Sequence, residues 1–215
     1  MHQGAKDTKL AIILVAGELF AEYGLAGTSI RTIAEKAGVN SAAINYHFGS
    51  KENLYTETLR YAVMHMRKME SLEAFENGSI DHDPEKLRAI FYRYIKETLS
   101  NLLPPRKFDW FVKLVIRSLL EPVPSFRTLT EEVFRPNLLE LTRLIRLINP
   151  KISAEKALLW AFSIEGQIAF YAICQLPILI SLGKNEYDPA FIAAAAEHMA
   201  SSTLTALSQS PLDEG

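Results

Sequence analysis

A single cysteine, Cys174, stands in 215 residues, so no internal disulfide can carry the fold, and the usage suits a reducing compartment. It lies in an apolar run and reads as a small buried hydrophobe rather than a reactive thiol. The formal net charge is only −2, which excludes a polycation; any contact with nucleic acid has to come from a local patch. Alternation at strand period is missing. So are a nucleophile elbow, a phosphate loop, metal-ligand spacing and paired acids near a histidine, and His65, His82 and His198 are isolated. No catalytic residue, metal or cofactor is therefore expected; Met64-His65-Met66 has no partner set for a soft metal. The opening, MHQGAKDTKLA, has no apolar core behind a positive cluster, so no signal peptide is expected.

What is present is apolar and helical. Hydrophobic residues make up 48 % and charged residues 22 %, enough for one or two cores. One stretch, residues 158–182, LLWAFSIEGQIAFYAICQLPILISL, is long enough to span a bilayer. Glu165, Gln167 and Gln175 fall inside it and Pro177 interrupts it, and a central carboxylate costs about 2.5 kcal/mol or more in lipid. The expectation is a helix covered by its own fold and a partner subunit, with no membrane partner.

The punctuation between amphipathic runs is Gly and Pro. Asp7 or Thr8 is expected to cap a first helix that turns Leu10, Ile13, Leu14 and Phe20 inward and stops at Gly24. Thr28 opens a second, Gly38 breaks it, SAAINYHF forms a third, and Ser50 caps a fourth running to about Glu76. NGSIDHDP is a loop. From Pro84, Leu87, Ile90, Phe91, Tyr94, Ile95, Thr98, Leu99 and Leu102 keep 3.6-residue spacing. Two further helices follow, the second kinked near Pro136. Ser153 caps the apolar helix and Asp188-Pro189 opens the last. The fold class is all-α with about nine helices.

Residues 30–48 have the grammar of a helix-turn-helix. Ala34 allows a close crossing, Gly38 supplies a positive-φ turn, and Ile33, Ala37, Val39 and Ile44 form the seam. In such a unit the second helix enters the major groove with its N-terminal, outward side chains. Here these are Asn40, Ser41, Ala42, Ala43 and Asn45; an asparagine can bridge N6 and N7 of adenine. Tyr46 and His47 lie one turn on, where phosphates pass. Thr28, Ser29 and Lys51 sit at helix starts suited to phosphate, with Arg31 beside them. Residues 28–51 hold three cations against one acid, a patch of +2.

TSIRTIAEKAGVNSAAINYHFGSKENLY resembles the DNA-binding segment of TetR-family bacterial transcriptional regulators. The shared features are Thr28, Ile33, Ala34, Ala37, Gly38, Val39, Tyr46, His47, Phe48, Ser50, Lys51, Glu52 and Leu54. Ala42-Ala43-Ile44-Asn45 stands where many members have Gly-Thr-Leu-Tyr, so the operator need not match theirs. RSLLEPVPSFRTLTEEVFRP with EGQIAFY is similar to the CecR-type subset. The resemblance implies a DNA-binding domain at 7–60 and a ligand-binding and dimerisation domain at 61–215, with a small-molecule pocket. It also implies pairing of the last two long helices in a homodimer. The function that follows is a cytoplasmic repressor on a near-palindromic double-stranded operator, released by a small-molecule effector. The alternatives are an activator of the same fold or a membrane-associated helical protein. For the pocket, Met64, Phe91, Tyr94, Trp110, Leu114, Arg117 and Gln167 have a suitable composition. Arg117, on a largely apolar helix, needs a partner, either an anionic ligand or Glu121 four residues on.

Overall fold

A computed structural model describes residues 2–66, 83–103, 109–121, 123 and 126–209. Among them every regular element is helical: α1 (His2–Gly27), α2 (Ile30–Ala37), α3 (Ser41–Phe48), α4 (Lys51–Met66), α5 (Pro84–Leu102) and α6 (Asp109–Leu120). A short α7 (Phe126–Leu129) passes through a π turn (Thr130–Phe134) into α8 (Arg135–Ile148); α9 (Ala154–Ile173), α10 (Gln175–Leu182) and α11 (Pro189–Gln209) follow. The distal part of the expected fourth helix, the loop at 77–82 and the tail beyond Gln209 lie outside the described residues.

The residues divide into two compact units, Met1–Met66 with Arg106–Val133, and Arg67–Pro105 with Phe134–Gly215. In the first, α1 packs on α2, α4 and α6. Its buried stripe is Ile12, Ile13, Ala16, Leu19 and Phe20, which corrects the inward set expected for this helix. Leu10 and Leu14 face solvent because the stripe is centred one position away. The helix also starts before Asp7 and Thr8, so neither caps it. Gly24 does carry the left-handed φ, 71°, that interrupts α1. Trp110 of α6 lies on Gly17 so closely that a Cβ there would stand 2.1 Å from the ring.

The second unit is a helical core. α5 buries Leu87, Phe91, Tyr94, Ile95, Thr98 and Leu99, as its spacing requires, behind an Asp83 cap and Pro84 in its first turn. It packs on α8, α9 and α11. Ser153 caps α9, accepting from the Lys156 N–H at 3.2 Å, and Asp188 caps α11, accepting from that of Phe191 at 2.7 Å. The stretch 158–182 is not one straight rod: α9 and α10 meet at Cys174, which is half-buried, with a bend of 71°. By length and composition alone, the Asp7–Gly27 part of α1 and the bent α9–α10 pair are apolar enough to cross a membrane. The charge inside α9 is internal to the unit, since the Tyr94 hydroxyl donates to Glu165 Oε1 at 2.5 Å. The opposite face of α9 leaves Leu159, Phe162, Phe170 and Ile173 exposed.

Burial holds the Glu165 carboxyl above the ordinary carboxylate range, against the opposing pull of the Tyr94 hydrogen bond. Burial, then the neighbouring Glu165 charge, raises the Tyr94 phenol well above its usual value. The folded chain therefore keeps the Glu165 proton to higher pH than the unfolded chain. That contribution to stability is complete below the ordinary carboxylate pKa and is lost as pH climbs through the raised one. Glu165→Gln is expected to remove this slope, so the difference in melting midpoint between about pH 4 and pH 7 shrinks. Gly17→Ala is expected to cost about 1–3 kcal/mol of crowding against Trp110, partly offset by up to about 1 kcal/mol of helix propensity, measured by denaturant unfolding.

Candidate nucleic-acid interface

The reading surface is built from two eight-residue helices held at a fixed turn. Ser29, not Thr28, caps α2: its hydroxyl oxygen accepts from the Thr32 N–H at 3.0 Å and lies 2.8 Å from the Thr32 hydroxyl. Gly38 ends α2 at φ 66° and ψ 29°, its N–H directed at the Ala34 and Glu35 carbonyls, while the Val39 N–H donates to Ala34 O at 3.0 Å. Only a residue tolerant of left-handed backbone closes that turn without strain. Asn40 then caps α3, its Oδ1 accepting from the Ala42 N–H at 2.7 Å. Ile33 and Ala34 from α2, and Ile44 and Phe48 from α3, are buried; Ala37 and Val39 are half-buried at the margin of the seam.

With Ile44 and Phe48 turned in, the opposite side of α3 is turned out. Asn40, Ala42 and Asn45 are exposed, Ser41, Ala43 and His47 are half-exposed, and Tyr46 is 87 % exposed. A tyrosine at that exposure has no core role. The His47 ring lies 5.2 Å from that of Tyr46 and 6.2 Å from that of Phe48, edge-on to both. Asn40 keeps its amide NH2 and one lone pair of its oxygen for a ligand, since the cap uses the other.

Thr28 behaves differently from its nomination. It is 3 % exposed, and its hydroxyl is directed at Gly24 O (2.8 Å) and Leu19 O (3.2 Å), so it ties α1 to α2 rather than offering a hydroxyl to phosphate. Lys51 donates from Nζ to Thr28 O at 3.0 Å, which fixes its ammonium beside the start of α2. Arg31 is exposed and pairs with Glu35 at 2.8 Å, and that hydrogen bond raises its pKa further. Lys36 stands exposed in the last turn of α2. The +2 patch thus has one cation matched by the local acid and one anchored by a carbonyl. Thr32, exposed beside Ser29, was not among the nominated residues; the Ser-x-x-Thr spacing at a helix start is the signal that places the two hydroxyls together.

The residues nominated for a small-molecule pocket do not fall in one unit. Met64, Trp110, Leu114 and Arg117 belong to the first, and Phe91, Tyr94 and Gln167 to the second. Trp110, Leu114, Phe91 and Tyr94 are buried, Met64 is 61 % exposed, and Gln167 is exposed. Arg117 has the second of its two expected partners: Nη1 lies 3.3 Å from Glu121 Oε1. The guanidinium also donates to the Ala21 and Glu22 carbonyls at 3.3 and 3.2 Å. These bonds hold the guanidinium at the end of α1.

A capped three-helix head with an exposed polar face on its third helix is the geometry of a DNA-reading module. Comparison with known families agrees. Residues 12–58 match the bacterial regulatory proteins of the tetR family, and residues 87–207 match the C-terminal domain of the HTH-type transcriptional dual regulator CecR. The chain belongs to the TetR family, in the group that carries the CecR-type C-terminal domain. Among its relatives, CecR of Shigella flexneri is 28 % identical over 187 residues, 85 % of this chain and 83 % of that protein. The transcriptional repressor AcnR of Corynebacterium glutamicum is 31 % identical over 122 residues, 56 % of this chain and 55 % of that protein. The solved structure of AibR in complex with isovaleryl coenzyme A and operator DNA has the same fold, with a TM-score of 0.62 at 18 % identity, covering 91 % of this chain and 97 % of that one. These TetR-family relatives are transcriptional regulators.

For this TetR-family chain, Asn45→Ala is expected to cost about 1–3 kcal/mol on preferred DNA and to relax preference at one base pair. Lys51→Ala is expected to weaken all duplexes alike and to lower the salt slope by about 1. Binding titrations on preferred and scrambled duplexes at several salt concentrations separate the two; equal behaviour of both mutants and the parent would remove α3 from the interface.

Proposed function

We propose that this TetR-family chain is a ligand-responsive repressor that binds a near-palindromic operator as a homodimer and leaves it when a small molecule binds. The outward face of α3, with Asn45 and Tyr46 in solvent and Ile44 and Phe48 beneath them, carries the reading. Its N-terminal turn enters the major groove, where Ala42 and Ala43 permit close approach and Asn45 reads a base. Tyr46, His47, Ser29, Arg31 and Lys51 flank the phosphates, and position rather than specify. Functionally, residues 7–60 read DNA and 61–215 bind the effector and dimerise. The protein works in the cytoplasm, without a membrane partner or an enzymatic reaction.

The dimer is supported by the exposed face of α9. Leu159, Phe162, Phe170 and Ile173 lie within one narrow stripe, with the exposed Gly166 between them, where a Cβ would meet nothing within 4 Å. A stripe of that kind is unusual on a monomer, and its small central residue lets a partner helix approach. On α11, Ala194, Ser201 and Thr205 are exposed and small. A twofold dimer presents two α3 helices one DNA turn, or a multiple, apart, hence the palindrome. AibR, with both a coenzyme A thioester and operator DNA bound, is the precedent for effector and DNA on one such fold. An activator is the second reading, favoured by the dual-regulator description of CecR.

Phe162→Asp combined with Phe170→Asp is expected to convert the protein to monomer in light scattering at micromolar concentration and to abolish footprints on DNA upstream of its own gene. Protection by the parent should cover two half-sites related by a dyad. A reporter that loses expression when the gene is deleted would replace the repressor with the activator.

A further inference from the structure

We propose that Arg117 is a positioning residue for the DNA-reading helices: its guanidinium holds the end of α1 to which those helices are tied. The inference rests on the DNA-regulator reading above and adds the side chain that holds the pose. α6 meets α1 at two glycines. Trp110 lies over Gly17, and Arg117 lies over Gly24, where an added Cβ would stand 3.1 Å from Nη1. The two seats are seven residues apart on each helix, about two turns or 10 Å, so together they fix both the sliding and the rotation of α6 on α1.

The second seat is placed where α1 is weakest. Gly24 departs from helical geometry inside α1, with φ 71° and ψ 177°. Arg117 Nε donates to Ala21 O and Nη2 to Glu22 O, at 3.3 and 3.2 Å, supplying donors and a positive charge at a helix C-terminus. Glu121, one turn on along α6, accepts from Nη1 at 3.3 and 3.4 Å and holds the guanidinium in that orientation. Tyr55 of α4 is buried close by: its phenol is raised first by burial, and the charges of Arg117 and Glu121 act on it in opposite directions.

From this seat a chain of hydrogen bonds leads to the reading head. The Thr28 hydroxyl donates within 2.8 Å of the Gly24 carbonyl, Thr28 directly precedes the α2 cap Ser29, and Thr28 O accepts from Lys51 Nζ at the first residue of α4. The Gly24 carbonyl therefore anchors the starts of both α2 and α4, and Arg117 fixes the segment that carries it. Loss of the Arg117 bonds frees this segment, and with it the starts of α2 and α4. A plain helix cap would stabilise α1 without this consequence, and the two roles are separable by experiment.

Trp160→Phe leaves Trp110 as the sole tryptophan, a reporter of the first seat. In that background the probes are the duplex that the parent enriches from a random library and a scrambled duplex of equal length. Addition of the enriched duplex should shift Trp110 emission. Arg117→Ala should bind it about ten-fold more weakly, keep its affinity for the scrambled duplex within about two-fold, and lose the emission shift. If that variant does not fold, Glu121→Gln, at an exposed side chain, should show a smaller loss in the same sense. The proposal falls if both variants bind the enriched duplex like the parent, if they lose both duplexes equally, or if Trp110 emission ignores DNA in the parent. A parent that enriches no duplex overturns the regulator reading itself and the proposal with it.

Discussion

Two buried side chains, Ile44 and Phe48, decide what α3 shows to the outside. An eight-residue helix has too little intrinsic stability to form alone, so its existence and its rotation both come from the face it buries. Ile44 and Phe48 are one turn apart, and burying them leaves Asn45 and Tyr46 no choice but solvent. The seam needs Gly38, whose left-handed turn sets the crossing of the two helices. Everything said about base reading depends on this one piece of packing, because a rotation of α3 by one position would bury Asn45 and expose Ile44.

The head does not stand on three helices alone. α6, drawn from the middle of the chain, packs with α1 and α4 in the same unit, through an aromatic ring on one glycine and an ion pair over another. Function and packing thus divide the sequence differently: the DNA-reading residues lie within 7–60, yet the body that holds them includes 109–120. The boundary read from the sequence at residue 60 is therefore one of function, while the packed unit takes in a helix from well beyond it.

Much of this was legible because local chemistry has local signatures. Gly38, Ser50, Pro84, Ser153 and Asp188 mark their turns and helix starts within a few residues, and the α5 stripe followed directly from 3.6-residue spacing. Errors arose where two readings differ by one position or where the partner is far away. Thr28 and Ser29 both suit a cap, and only the carbonyls of Leu19 and Gly24 decide that Thr28 turns inward. Leu10 and Leu14 have the same apolarity as Ile12 and Ile13; the tilt against α4 and α6, which sequence does not encode locally, chooses between them. Arg117 was singled out correctly as an arginine in need of partners, but two of those partners are backbone carbonyls 95 and 96 residues away, and backbone carbonyls leave no mark in a sequence. The break at Cys174 was signalled by Pro177, read as an interruption of the stretch, which stands in the first turn of α10.

The charge inventory constrains how such a head holds DNA. Glu35 answers Arg31, and a carbonyl fixes Lys51 in place, so a single head brings few mobile cations to the phosphates. Counterion release scales with the number of phosphates neutralised, which makes one head a weak binder at physiological salt. In the proposed homodimer two heads would avoid this limit, since the second contact is made at high effective concentration once the first has formed. The apolar stripe on α9 and the modest patch on α2–α3 are then two sides of one design. On that proposal affinity depends on the spacing between paired heads, and a small change in spacing, acting on two weak contacts at once, would release the operator more sharply than a change in either contact alone.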